Sequence, residues 1–316
     1  MTNRTDWDSP SGLRRPGSLP ADDEADAAWA DPLGRFLPVT PTGDLAFDAE
    51  GPVWCPTSGP WRPDTDILLG RSGGAPRFAR LLPDADAVLA AAGSSGAVTI
   101  GGLRAVVDDL ATAVDLDVVF TALALTQWHA AASFCPRCGT ATTMTQAGRT
   151  RRCPRCREDL FARNDPAMIV AVIGPDERLL LAHQRTWAPG RMSVLAGFVE
   201  AGESIEQAVH REVAEEVGLT GLSDLHYVGS QPWPFPRSLM LGYTVRSATT
   251  DLAVDGVEIV DARWFDRAGL TAALATGDIT LPTSMSMAHR LIDAWWRGLS
   301  PEPRDATTAP RSPVLA

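Results

Sequence analysis

The stretch Gly197 to Leu219, GFVEAGESIEQAVHREVAEEVGL, constrains the fold of this chain more than any other. Ser204 with Gln207 makes an S-x-x-Q capping box, and Gly218 suits the position just past a helix end. No proline or glycine lies between them, so the spacing predicts one helix over 205–217. Ile205, Val209, Val213 and Val217 recur every four residues and form its buried stripe. Glu212 and Glu216 lie one turn apart beside that stripe, with Glu215 on a neighbouring arc. Like charges at this spacing destabilise a bare helix, and do so more when desolvated against a sheet. A divalent cation removes the conflict: hard Mg2+ or Mn2+ takes carboxylate oxygens, keeps some waters and bridges to phosphate oxygens. In an arbitrary E-x-x-E-E helix a solvated acidic face with an Arg211–Glu215 pair is the ordinary arrangement, but the flanking Gly197, Glu203 and Gly218 favour a metal site. Arg211 and Glu203 fit a role as orienters of loop and helix as well as one at the metal.

A second constraint is local. Cys135-Pro-Arg-Cys138 and Cys153-Pro-Arg-Cys156 are two C-x2-C knuckles that together supply four thiolates, the donor set of a closed, structural, tetrahedral Zn2+ site. A disulfide pair is the alternative, disfavoured in a chain that shows no secretion signal. Cys55 is left over as a packing residue. Around the knuckles Arg137, Arg149, Arg151, Arg152, Arg155 and Arg157 form a local basic patch that suits an RNA backbone, another subunit or solvent.

That patch stands out because the 316-residue chain carries a formal net charge of −11, which argues against coating nucleic acid or an anionic membrane by bulk electrostatics. All 28 basic residues are arginine, so P-loop and Schiff-base lysine chemistry are excluded. The polar first 30 residues lack the charged and apolar regions of a signal peptide, and no apolar run is long enough to span a membrane. A cytoplasmic location is expected.

The length allows about two domains. Residues 1–30 and 300–316 are expected to be disordered tails. Residues 31–134 should form a small mixed domain, with strands near Asp66–Leu69 and Ala97–Ile100 and a helix over Asp117–Phe134. His129, near the end of that helix, is assigned a packing or surface role. Residues 135–160 form the knuckle module and 161–299 the last domain. Its expected strands are Ala167–Ile173, Glu177–His183, Leu225–Ser230 and Leu239–Val245, with another ending at Phe265, and Ser286–Gly298 is its closing helix.

One further motif, Ser230-Gln231-Pro232-Trp233-Pro234-Phe235-Pro236-Arg237-Ser238-Leu239-Met240, places three prolines at alternate positions. They remove backbone donors, so the segment cannot be an interior strand, and they hold Trp233 and Phe235 in a stiff stretch. Such aromatics suit stacking on a flat ring whose polar edge Gln231 and Ser238 could bond, or a proline-rich loop with core aromatics.

Gly, five residues, Glu, seven residues, then Arg-Glu-Val-Ala-Glu-Glu-Val-Gly-Leu is the complete box of the Nudix hydrolases, which this chain therefore resembles. Together with the knuckles and the SQPWPFPxSLM segment, it resembles the NADH pyrophosphatase branch of that superfamily over about Phe134 to Trp296, and only in outline before it. The resemblance implies an α+β protein: a Nudix α/β/α sandwich with a mixed sheet, preceded by a zinc ribbon and a small N-terminal mixed α/β domain. It implies hydrolysis of NAD(H) to nicotinamide mononucleotide and AMP, removal of NAD caps from RNA 5′ ends, and a homodimer.

Carried over by motif, the Mg2+ or Mn2+ ligands would be the Ala196 carbonyl, Glu212, Glu216 and, from the later DGVEIVDARWF segment, Glu258. Glu215 would bind metal or orient water. Gln231, Pro232, Trp233, Pro234, Phe235, Pro236, Arg237 and Ser238 would line the nucleotide site, with Phe161, Phe198, Ala288 and Arg104 as further contacts. Phe161 stands where the family often has tyrosine, which keeps stacking and loses a hydroxyl contact. Water would attack one phosphorus with metal assistance, Glu216 being the first choice as proton acceptor. The competing function is a nucleotide-sensing Nudix-like regulator without catalysis. Such modules commonly have degenerate boxes, whereas this one keeps every carboxylate.

Overall fold

The computed structural model of the chain describes residues 10–15, 22–93, 98–103 and 116–299. The chain divides into two compact units: Met1–Asp165 with Pro232–Leu239, and Pro166–Gln231 with Met240–Ala316.

The first unit is built on an eight-stranded sheet. Asp66–Ser72 and Ala75–Leu81 form an antiparallel hairpin, and Arg35–Val39 runs parallel to Ala75–Leu81. The helix Leu116–Ala131, free of glycine and proline, buries Val119, Phe120 and Leu123. Trp29, Phe36 and Phe78 interlock by ring contacts, and the Arg80 guanidinium lies over Trp29 and Phe36 at 4.7 and 4.5 Å. The same guanidinium forks onto buried Asp66 at 2.5 and 2.8 Å, so neither buried charge is left unpaired. Cys55 is buried and donates its thiol hydrogen to the Ala91 carbonyl, in keeping with the expected packing role.

The reading of residues 1–30 as a disordered tail is corrected here. Leu13–Arg14 pairs with Asp66–Ser72, and Asp22–Trp29 is a helix. Its composition is acidic, but Ala25 and Trp29, one turn apart, are 0% and 3% exposed and anchor it. Residues 1–9 and 300–316, also expected as tails, lie outside the described residues, as does Arg104. The knuckle module follows as a three-stranded antiparallel sheet, Thr143–Thr145, Thr150–Arg152 and Asp159–Phe161.

The second unit holds a six-stranded sheet in the order Ser223–Trp233, Ser238–Arg246, Asp165–Ile173, Leu179–Gln184, Ile259–Phe265, with Leu195–Phe198 also paired to Asp165–Ile173. Alternate residues of the central strand point to opposite faces. Met168, Val170 and Val172 join one core with Val209, Val213 and Val217 of the helix Ile205–Val217. Ile169 and Ala171 join a second core with Leu270, of the helix Arg267–Thr276, and with Leu291 and Ile292, of the closing helix Met287–Trp296. The sheet is thus covered on both faces, the α/β/α sandwich expected. The proline segment is entered from an edge strand: Ser223–Trp233 runs through Pro232, whose missing donor an edge position tolerates. No helix among the described residues is long and apolar enough to cross a membrane.

Candidate active site and metal centre

The helix Ile205–Val217 begins and ends where its caps dictate. The Ser204 side chain accepts from the Gln207 backbone N–H, the Gln207 side chain accepts from the Ser204 N–H, and Gly218 closes the helix with φ 75°. Gly197 is a glycine because of what faces it. A Cβ there would stand 2.0 Å from Glu212 Oε1, so the Glu212 carboxylate lies directly against the backbone of the Leu195–Phe198 strand. Ala196, next to it and paired with Ile169, is exposed.

Arg211 organises the loop between strand and helix. Its Nε and Nη2 donate to Glu203 Oε1 and Oε2, both at 2.9 Å, and Nη2 also donates to the Phe198 carbonyl at 2.9 Å. Glu203 Oε2 in turn accepts the Glu200 N–H at 3.0 Å. The bidentate fork holds the Glu203 carboxyl below its usual range. The structure therefore gives these two residues the orienting role. The other side of the guanidinium meets Glu212 Oε1 at 2.9 Å and Glu215 Oε2 at 3.1 Å, Glu215 being largely exposed.

Glu216 has no such relief. It is 5% exposed, and its Oε2 is buried without a hydrogen-bond partner. Burial, with the charges of Glu212, Glu258, Asp255 and Glu215 adding to it, pushes its carboxyl up to about 8. Burial likewise raises Glu212, against the pull of Arg211. Glu258 accepts from Gln184 Nε2 at 2.7 Å. An orphaned buried carboxylate oxygen in a field of like charge is what a site adapted to a hard divalent cation presents without one, so these residues fit Mg2+ or Mn2+.

The four cysteines fit zinc on stricter geometry. They are the one group of three or more potential ligands among the described residues whose donor atoms all lie within 4.8 Å of one another. Cys135 to Cys156 is 3.6 Å, Cys138 to Cys153 3.5 Å and Cys138 to Cys156 3.9 Å. A tetrahedron with Zn–S bonds of about 2.3 Å has edges of about 3.8 Å. A disulfide needs about 2.05 Å, so that alternative is excluded. The basic patch is smaller than its arginine count implies. Arg149 turns inward to donate to the Leu69 carbonyl, and Arg151 is buried, donating to the Thr142 hydroxyl and carbonyl and contacting His129 Nδ1. His129 is buried too, with Nε2 2.7 Å from the Gly148 carbonyl, and burial pushes its imidazole down to about 4. Both are parts of the ribbon's foundation.

The remaining expected site residues fall in different units. In the second, Phe198 is 58% exposed, free to face a ring. Gln231, by contrast, is 1% exposed, and its side-chain amide is taken up by the main chain: Nε2 donates to the Met285 carbonyl at 2.8 Å and Oε1 accepts the Met287 N–H at 2.6 Å. These two bonds clasp the start of the closing helix, and a ligand's polar edge would compete with them for the same amide. Ala288 is buried in the core beside Leu291. In the first unit, Phe161 is 58% exposed. Trp233 packs edge-on against Phe235, and Phe235 against Phe120; Pro234 is buried and its carbonyl accepts from Gln127. Arg237 donates to Asp165 at 2.5 Å, while Pro232 and Pro236 are exposed and Ser238 is half-buried. Asp255 opens the DGVEIVDARWF segment, from which the motif singles out only Glu258. Its Asp-Gly pair was the available signal, a turn former whose carboxylate bonds backbone donors just downstream.

Residues 163–281 match the NUDIX domain family, and residues 130–161 match the NADH pyrophosphatase zinc ribbon domain family. The NAD-capped RNA hydrolase NudC of Mycobacterium bovis is 39% identical over 246 residues, spanning 74% of this chain and 76% of that protein. The chain belongs to the NADH pyrophosphatase branch of the Nudix hydrolases. The NudC of Mycobacterium tuberculosis is also 39% identical over 246 residues, with the same coverage. The NAD-capped RNA hydrolase NUDT12 of Homo sapiens is 41% identical over 194 residues, 57% of this chain and 41% of that protein. In this Nudix hydrolase the family's box is the strand, loop and helix that carry Gly197, the Arg211–Glu203 fork and the carboxylates of Glu212 and Glu216.

Proposed function

We propose that this Nudix hydrolase splits the pyrophosphate of NAD(H) into nicotinamide mononucleotide and AMP, and removes NAD caps from RNA 5′ ends. The relatives' names support the substrate class. The observation that carries the chemistry is the buried, unpartnered Oε2 of Glu216 among Glu212, Glu215 and Glu258.

Glu212, Glu216, Glu258 and the Ala196 carbonyl would hold Mg2+ or Mn2+, and the four cysteines a structural Zn2+. When bound, Mg2+ or Mn2+ polarises phosphate oxygens and acidifies water. Glu216 Oε2, the buried carboxylate oxygen that no protein group engages, accepts the proton of the attacking water. The water oxygen bonds to one phosphorus as the bond from that phosphorus to the bridging oxygen breaks, and the departing phosphate keeps the bridging oxygen. Arg211 fixes Glu212 and, through Phe198 and Glu203, the loop around Gly197. Phe198 and Phe161 offer exposed rings for stacking, and Trp233, Phe235, Arg237 and Ser238 belong to the substrate-recognition segment. The enzyme acts as a homodimer, as the family resemblance implies.

Comparison of wild-type protein with Glu216→Gln on NADH at saturating Mg2+ tests this reading. The variant should lose at least ~10²-fold in kcat, the lower range for general base catalysis. Retention of more than about a tenth of wild-type kcat would remove Glu216 as proton acceptor. Wild-type protein that binds NADH yet never releases AMP would favour the sensor instead.

A further inference from the structure

Glu258 lies on an exposed turn that other residues hold in place. Where Ile259–Phe265 pairs with Leu179–Gln184, His183 faces Asp261 but Gln184 faces Ile259, leaving Val260 as the extra residue of a β-bulge. Bulges re-aim side chains at strand ends. At this one the Gln184 amide donates to Glu258 Oε1 at 2.7 Å. Arg185 adds three bonds to the same turn: its N–H to the Glu258 carbonyl at 2.9 Å, Nε to the Val257 carbonyl at 3.0 Å, and Nη2 to the Gly256 carbonyl. Asp255 closes the turn from inside. Its Oδ1 accepts the N–H groups of Val257 and Ile259 at 3.2 and 2.9 Å, and its Oδ2 that of Glu258 at 3.0 Å. Its own N–H donates to the Glu216 carbonyl at 3.2 Å, and the Ala253 N–H donates to the Val217 carbonyl at 2.9 Å, so the turn is tied to the end of the helix that carries Glu212 and Glu216.

We infer that Gln184, Arg185 and Asp255 are positioning residues that present Glu258 to the divalent cation and lock its turn to the Glu216 end of the helix. This rests on the reading of Glu258 as a metal ligand. Neither Gln184 nor Arg185 belongs to the box; Gln184 acts on the Glu258 carboxylate and Arg185 on the main chain of its turn. A carboxylate on an untethered turn would sample many positions and lose affinity to that freedom, and outer-shell partners of metal ligands typically contribute 10–100-fold.

The test is titration of the zinc-loaded, full-length protein with Mn2+, following the electron paramagnetic resonance signal of the free ion, alongside thermal unfolding. Arg185→Ala and Gln184→Leu are each expected to weaken Mn2+ binding by about 10-fold or more with little change in Tm, as Glu258→Gln should. A purely structural clamp would move Tm and leave Mn2+ affinity alone. Wild-type affinity in Arg185→Ala and Gln184→Leu, with weakened binding in Glu258→Gln, would overturn the positioning role while sparing the ligand reading. Wild-type affinity in Glu258→Gln would overturn both. Should Arg185→Ala fail to fold, Gln184→Leu decides, because it leaves the backbone bonds of the turn intact.

Discussion

Glu216 holds two opposed demands at one residue. In the proposed role it works buried, out of water, yet its charge is then unbalanced by protein groups. This has a thermodynamic signature in protein freed of Mg2+ and Mn2+ but retaining zinc. The folded-state pKa, about 8, lies above the ordinary 4.5, so between these values the native state holds a proton that the unfolded state has released. Stability should therefore fall as pH rises from about 4.5 to about 8 and level off above, the reverse of a salt-bridged carboxylate. Glu216→Gln abolishes that contribution, so the Tm of the variant should gain on wild type across the window. Parallel Tm curves would show that Glu216 is not held protonated. Gly197 is the complementary residue. Its place in the motif was readable, but the Glu212 carboxylate that a Cβ there would displace belongs to another element and is visible only in three dimensions.

Helices announced themselves to the extent that their caps and stripes were both strong. Ile205–Val217 has a capping box, a left-handed glycine and four valine or alanine positions in the core, and its limits match the sequence reading. Arg267–Thr276 was overlooked although Asp266 and Gly277 cap it, because only Leu270 is buried and no apolar period shows. Asp22–Trp29 was hidden by its acidic residues. The proline segment was recognised as stiff and non-interior, but the partner of Gln231 lies 54 residues away in sequence and could not be read. Two accounts of Gln231 now compete in one experiment. As a clasp, Gln231→Ala strands the Met285 carbonyl and the Met287 N–H and should cost roughly 1–3 kcal/mol of stability, read from the denaturant midpoint, with the NADH to ADP-ribose ratio of kcat/KM unchanged. Unchanged stability with a lost ratio would restore the ligand-reading role. Trp233→Ala should lower that ratio in either case.

Across the whole molecule, the ribbon was legible because zinc ligation imposes spacing on sequence, whereas the membership of Pro232–Leu239 in the first unit rests on contacts such as Gln127 to Pro234, 107 residues apart. One zinc per chain is expected from metal analysis. Cys153→Ser, which removes a fully buried ligand, should lose that zinc and lower Tm first, with activity falling only as folded protein does. A zinc-free variant of normal Tm would contradict a structural role. The central claim, that this molecule cleaves the pyrophosphate of NAD, is tested most directly by chromatography of the products from NADH and from NAD-capped RNA with Mg2+ or Mn2+ present. The account predicts reduced nicotinamide mononucleotide and AMP from NADH, and nicotinamide mononucleotide with a 5′-monophosphate end from the RNA. Intact substrates, or release of free nicotinamide, would contradict it.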